Sequence, residues 1–235
     1  MIRDVNASRT ARERVRAELT REITEVARSQ LATEGAGGLS LRAVARDMGM
    51  VSSAIYRYFP SRDDLLTALI VDGYNAIGEV AEQADAASPA ADYTGRWLTL
   101  SRAVRDWALA HPHEYALIYG SPVPGYQAPR ATVAPAARVA RVAGGLVADA
   151  WREAREAGGD AAPLPPELAE QAVIVADAIA PGVPGSVIAR LLIAWTQLFG
   201  MISFELFGQL VGSADPADAF FGYAVEQMAD FIGLP

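Results

Sequence analysis

Between Val51 and Pro60 the chain reads Val-Ser-Ser-Ala-Ile-Tyr-Arg-Tyr-Phe-Pro, a stretch crowded with groups that bind rather than react. The hydroxyls of Ser52, Ser53, Tyr56 and Tyr58 suit phosphate oxygens, and the Arg57 guanidinium can fork onto O6 and N7 of a guanine. Val51, Ile55 and Phe59 recur at i, i+4 and i+8, so a helix over about Ser52 to Tyr58 turns these three inward and the polar set outward. Pro60 closes that helix, because the residue before a proline avoids the helical region. Arg42 stands at the start of the preceding short helix and Arg62 just beyond the proline. Further upstream, Arg9, Arg12 and Arg16 share one helical face, and Arg14, Arg21 and Arg28 share another.

No comparable constellation for catalysis exists in the chain. There is no GxGxxG, phosphate loop or assembled Ser-His-Asp set. His111 and His113 flank Pro112 without acidic partners at metal-ligand spacing, which reads as a helix boundary and not a zinc site. With no cysteine, disulfides and thiolate metal sites are excluded. The expectation is a non-enzyme without cofactor or metal. The first residues hold no apolar stretch of a secretory signal, so the expected location is the cytoplasm.

Charge points to the partner. The net charge is −8, yet residues 1–62 carry +4 and residues 63–235 carry −12. A basic N-terminal end on an acidic body suggests contact with nucleic acid. All 20 basic residues are arginine, which fits a GC-rich, alanine-rich coding sequence better than any mechanism.

The elements needed to position these residues are helices throughout, since apolar residues recur near 3.6 and no stretch alternates like a strand. Thr10-Ala-Arg-Glu13 fits a capping box. From there Val15, Leu19, Ile23, Val26 and Leu31 form a stripe that ends at Gly35. Ser40 caps a short helix with Leu41, Val44, Ala45 and Met48 inward, and Gly49 ends it. Ser61-Arg-Asp-Asp64 caps a fourth helix running to about Ala86. Helical patterns follow at about 90–110, 112–119, 131–157, 166–180, 186–212 and 216–232, separated by Pro- and Gly-rich breaks. The apolar segment Val187 to Phe207 contains Arg190 and Glu205. Only fourteen uncharged residues lie between these two charges, short of the about 20 that a bilayer crossing needs. It reads as a buried core helix, and no membrane partner is expected.

Three helices with a tight second turn make a helix-turn-helix, whose last helix lies in the major groove of DNA. Leu39-Ser-Leu-Arg-Ala-Val-Ala-Arg-Asp-Met-Gly49 followed by Ile55-Tyr-Arg-Tyr-Phe-Pro-Ser-Arg-Asp-Asp-Leu-Leu66 resembles the DNA-binding domain of the TetR family of bacterial transcriptional regulators, over about residues 10–70. Trp195-Thr-Gln-Leu-Phe-Gly200, Phe204-Glu-Leu-Phe-Gly208 and His111 to Gly125 resemble a C-terminal domain named for a Trp-His-Gly signature. The resemblance implies an all-α protein with a three-helix DNA-binding domain at 1–62 and a helical effector-binding and dimerisation domain at 63–235. It implies DNA contacts at Arg42, Ser52, Ser53, Tyr56, Arg57, Tyr58 and Arg62. The chain departs from the family's usual pattern in three places. Val51 replaces a hydroxyl cap, so Ser52 is left as the alternative cap. Ser53 replaces a frequent glycine, and Phe199 replaces the signature histidine.

The aromatic residues of the second part suit an apolar cavity. The resemblance implies such a pocket, for which the candidates are Trp97, Tyr119, Trp151, Trp195 and Phe199. Ala189, Ile193, Thr196, Gly200, Ser203 and Phe207 form a stripe of mostly small residues. With the Phe220, Phe221, Ala224, Met228 and Phe231 face of the last helix, it suits a two-fold homodimer interface. Glu205 lies off the stripe, open to an arginine, to the pocket or, most simply, to solvent. The expected function is a repressor released from its double-stranded DNA operator by a small apolar or aromatic effector. The alternative is a regulator controlled by a protein partner or by no ligand.

Overall fold

A computed structural model describes residues 2–156 and 162–235, with side chains from Arg12 onward. Among the described residues every regular element is helical. Packing divides the chain into one unit of residues 1–73 and 113–132 and another of 74–112 and 133–235.

The first unit is built on α1 (Ile2–Gly38), which is interrupted only at Gly35, where φ is 67° and ψ 175°. Neither Pro nor Gly occurs before Gly35, and Ala, Arg and Glu are strong helix formers, so nothing stops the helix short of that point. It therefore begins well before the start expected at Thr10, whose side chain lies outside the described residues. Ile23, Ala27 and Leu31 form its buried stripe, whereas Val15 is 60% exposed. On α2 (Leu41–Asp47) the N-cap Ser40 hydroxyl accepts from Ala43 N–H, and Leu41, Val44 and Ala45 are buried. Gly49 makes the turn at φ 66°, a backbone region that costs a residue with a Cβ. After α3 (Ser52–Ile55) comes α4 (Arg62–Ala87). Ser61 caps α4 as expected, accepting from Asp64 N–H at 3.1 Å and donating to its carboxylate at 2.6 Å.

The segment 113–132 folds back on this unit. On α6 (Pro112–Tyr119), Glu114 accepts from Arg28 at 3.2 Å, and Arg28 also reaches Asp72 at 3.1 Å. The Tyr126 and Thr67 hydroxyls lie 2.9 Å apart, while Leu117, Val123 and Tyr126 pack on the core around Ile55. Packing groups residues 63–73 and 113–132 with residues 1–62, which the division at 62/63 implied by the resemblance does not.

The second unit centres on α5 (Tyr93–Ala110), which packs against α8 (Arg138–Glu156), α10 (Gly185–Leu206) and α11 (Asp218–Ile232); α7 (Val133–Ala136) packs on α8, and α9 (Pro166–Ile179) on α8 and α10. The helix expected over 131–157 is broken at Ala137, between α7 and α8. The expected break after residue 157 lies partly outside the described residues. Two buried arginines of α5 are each held by two carboxylates. Arg96 bonds Asp85 at 2.8 Å and Asp149 at 3.1 Å. Arg105 bonds both oxygens of Glu205, at 2.7 and 2.6 Å, and Asp218 at 3.1 Å. Glu205 thus meets an arginine and not solvent, and its hydrogen bonds hold Arg105 charged far above the ordinary arginine range. α10 is long and apolar enough to cross a membrane by composition alone. Val187, Ile188, Leu191, Ala194, Leu198 and Ile202 are buried within its own unit.

Two adjacent glycines of α8 test this packing. A Cβ at Gly144 would fall on the backbone of Ile179, whereas one at Gly145 would meet nothing within 4 Å. Gly144→Ala is expected to lower stability by about 1–3 kcal/mol through overpacking. Gly145→Ala should leave it unchanged or raise it by up to about 1 kcal/mol. Urea unfolding followed by circular dichroism checks both.

Candidate nucleic-acid interface

The segment carrying the hydroxyls and Arg57 is a single helical turn, shorter than the helix expected to Tyr58. Beyond Ile55 the chain continues in turns, with Tyr58 N–H donating to Ile55 O at 2.9 Å and Arg57 N–H to Ala54 O at 3.2 Å. Phe59 must turn into the core immediately before Pro60, which leaves no room for another helical turn. Ile55 is 0% and Phe59 6% exposed. Val51, expected inside with them, is 74% exposed. It occupies the extended N-cap position of α3, where the helical period does not yet apply. Ser52 is the first helical residue and supplies no cap, so its hydroxyl is left for an external partner.

Ser52, Ser53, Tyr56 and Arg57 are exposed together, and Arg42 is exposed on α2. Tyr58 is half-buried against the core of the unit, a mixed position for a residue expected to face DNA. Arg62 has a different place from the one expected. Its guanidinium donates to the carbonyls of Leu39 at 3.1 Å, Ala36 at 2.6 Å and Gly37 at 3.4 Å, tying the end of α1 to the start of α4. In this structure Arg62 caps otherwise orphaned helix-end carbonyls.

The arginines of α1 fall into two groups. Arg21 pairs with Glu18, and Arg28 pairs with Glu25, Asp72 and Glu114. Arg16 instead donates to the carbonyl of Arg57 at 3.0 Å, with its guanidinium 5.8 Å from the Tyr58 ring centre. Arg12, Val15, Arg16, Arg57 and Tyr58 line an open cleft of about 390 Å³. The shared face of Arg12 and Arg16 was legible in their i, i+4 spacing. Their meeting with Arg57 was not, because it joins residues 41 positions apart. The Arg9 side chain lies outside the described residues.

The five candidate pocket residues have different immediate surroundings. Trp97 is completely buried, and its indole N–H donates to Val225 O at 3.1 Å, which makes it part of the packed core. Tyr119 belongs to the first unit, with its ring 5.2 Å from that of Tyr115. Trp195 and Phe199 pack on each other at 4.5 Å. Trp151 lines a cleft of about 370 Å³ with Arg152, Arg155, Pro181 and Val183. The His111 ring stacks on Trp107 at 5.1 Å at the end of α5, a helix-boundary position.

The stripe on α10 leaves Ile193, Thr196 and Phe207 exposed, with Ala189, Gly200 and Ser203 half-buried. On α11, Phe221 points into its own unit, 3% exposed under the Arg105 guanidinium. Phe220 and Phe231 of the expected face are 42 and 45% exposed, and Tyr223, not expected there, is 63% exposed beside them. Ala224 and Met228 are buried beneath them and form part of the floor of a surface groove of about 400 Å³ between α10 and α11. Of the expected α11 face, Phe221 alone leaves the groove, because it packs under Arg105.

A helix-turn-helix with an exposed polar recognition turn, followed by a larger helical unit, defines the class, and comparison with known proteins agrees. Residues 23–69 match the family described as bacterial regulatory proteins, tetR family. Residues 97–228 match the tetracyclin repressor-like C-terminal domain. The HTH-type transcriptional regulator Rv1816 of Mycobacterium tuberculosis is 39% identical over 221 residues, covering 87% of this chain and 86% of that one. A crystal structure of the regulatory protein SCO4313 is 34% identical with a TM-score of 0.77, covering 93% of this chain and 98% of that one. A tetR family transcription regulator from Shewanella sp. PV-4 shares the fold, with a TM-score of 0.58 at 18% identity over 90% of this chain and 95% of that one. The chain belongs to the TetR family of transcriptional regulators. These are DNA-binding proteins and not enzymes.

Neighbouring substitutions separate fold from surface here. Ile55→Ala is expected to cost about 2–5 kcal/mol, because a fully buried branched side chain is lost. Tyr56→Ala should leave the urea midpoint close to that of the wild type. Equal destabilisation by the two would show that Tyr56 serves packing.

Proposed function

We propose that this chain is a cytoplasmic repressor that binds a double-stranded DNA operator as a homodimer and is released by a small apolar or aromatic molecule. The observation that carries the DNA-binding part is the exposure of Ser52, Ser53 and Tyr56 on a helical turn whose Ile55 is completely buried. Such a turn presents a fixed polar edge to the major groove, with Arg42 at the flanking backbone. In vitro selection from a random duplex library is expected to enrich a two-fold symmetric site with half-sites about one turn apart, roughly 34–36 Å. Failure to enrich any sequence would overturn the reading.

The homodimer is supported by the apolar groove of α10 and α11, whose rim residues Ile193, Phe220, Tyr223 and Phe231 stand in solvent in the single chain. Gly200→Trp is the direct test. A Cβ there meets nothing within 4 Å inside one protomer, so a single chain accommodates the larger side chain while a facing helix does not. Sedimentation at micromolar concentration is expected to give folded monomers, and an intact dimer would move the interface elsewhere.

Two features support an effector: the cleft beside Trp151 and the likeness of Trp195 to Gly200 to the Trp-His-Gly group. α4 offers the coupling element, since residues 62–73 belong to the first unit and 74–87 to the second. A ligand that shifts this helix changes the spacing of the two recognition turns, and linkage makes the effect reciprocal. The complete burial of Trp97 in the packed core favours a second reading, in which a protein partner or no ligand controls the regulator. A thermal-shift screen with apolar and aromatic metabolites separates the two. A true ligand at 100 times its Kd stabilises by about 2.7 kcal/mol and should lower operator affinity.

A further inference from the structure

We propose that Arg12 and Arg16 of α1, together with Arg57, form a clamp for one backbone phosphate of the bound duplex. Arg57 then holds the DNA backbone instead of reading a guanine. This rests on the DNA-binding reading above and extends the interface from the recognition turn to α1.

Three of the five residues lining the 390 Å³ cleft carry guanidinium groups, and none carries a carboxylate. Among the described residues, Arg12, Arg16 and Arg57 form no ion pair. Arg21, Arg28, Arg96, Arg105 and Arg138 each meet at least one carboxylate. The carbonyl that Arg16 bonds is neutral, so the bond orients the cation without cancelling its charge. An arginine has five N–H donors, and this bond engages one of them. Like charges converging on one opening repel, and a phosphodiester brings the missing negative charge with acceptor oxygens matched to guanidinium forks. Val15, 60% exposed, and the Tyr58 ring add an apolar wall suited to the neighbouring deoxyribose.

Position along the recognition element argues the same way. A helix-turn-helix reads base edges with the N-terminal residues of its recognition helix. Ser52 and Ser53 occupy those positions, whereas Arg57 follows the end of α3, in the turn that Arg16 holds against α1. The Arg16 bond places the Arg57 backbone and so fixes where the phosphate is met.

Salt dependence tests the clamp, because each phosphate neutralised adds about 0.9 to the slope of log K against log salt. Affinities are measured between 50 and 200 mM salt for the duplex selected by the wild-type protein and for a scrambled duplex of equal length. The triple variant Arg12→Ala, Arg16→Ala, Arg57→Ala releases the one clamped phosphate. It is expected to lower the slope by about 0.9 and so lose roughly 3.5-fold less affinity over this range than the wild type. Arg12→Ala and Arg57→Ala should each give part of that fall. Both should weaken the selected and scrambled duplexes by the same factor. Arg12→Lys, which keeps the charge, should restore the slope, and Tyr56→Ala, which removes none, should weaken binding without changing it. An unchanged slope in the triple variant overturns the clamp while leaving the regulator reading intact. A loss confined to the selected duplex in Arg57→Ala returns that residue to a base contact. A wild-type protein without affinity for any duplex overturns the regulator reading and the clamp together.

Discussion

A helix of one turn has no stability of its own, since nucleation fixes several residues for a single hydrogen bond. α3 exists because Ile55 is completely buried among side chains of α1, α2 and α4, with Phe59 inserted one turn later. Everything polar on the recognition turn is held in place by these two apolar anchors. Arg16 adds a bond from outside to the carbonyl of Arg57, and Arg62 ties the end of α1 to the beginning of α4. The reading surface is therefore a small rigid edge whose orientation belongs to the whole unit.

Arginine serves opposite purposes at different places in the chain. Inside the second unit, Arg96 and Arg105 are surrounded by Asp85, Asp149, Glu205 and Asp218, as buried charges must be if their desolvation is to be offset. The acidic balance of residues 63–235 is in part the set of counter-charges for these internal cations. Around Arg57 the same side chain lacks a carboxylate partner, and solvent or a ligand must supply it. A net negative chain can in this way present a local cationic surface to DNA, because the field near the cleft is set by neighbours within about one Debye length, roughly 8–10 Å.

Much of this was legible along the chain. The all-α class, the caps at Ser40 and Ser61, the Gly49 turn and the inward Ile55 and Phe59 follow from local chemistry, because each depends on residues within one or two turns. The family followed from the spacing of Ile55 to Leu66 after that turn. Local pattern failed where a helical period was carried past the end of its helix. Val51 was counted on a helix that had not begun, and Tyr58 on one that had already ended.

The sequence by itself determined which stretches are helical, which faces are apolar and where the excess of arginine lies, since these are properties of composition and short-range period. Only the tertiary structure decided what each face meets. It turned Phe221 inward under Arg105 and left Phe220 and Tyr223 outside. It sent Arg62 to the carbonyls of α1, gave Glu205 an arginine, buried Trp97 in the packed core and brought Arg12 and Arg16 beside Arg57. The physical reason is that helical periodicity states that a side chain will be buried or exposed, but its partner is chosen by contacts between residues tens of positions apart.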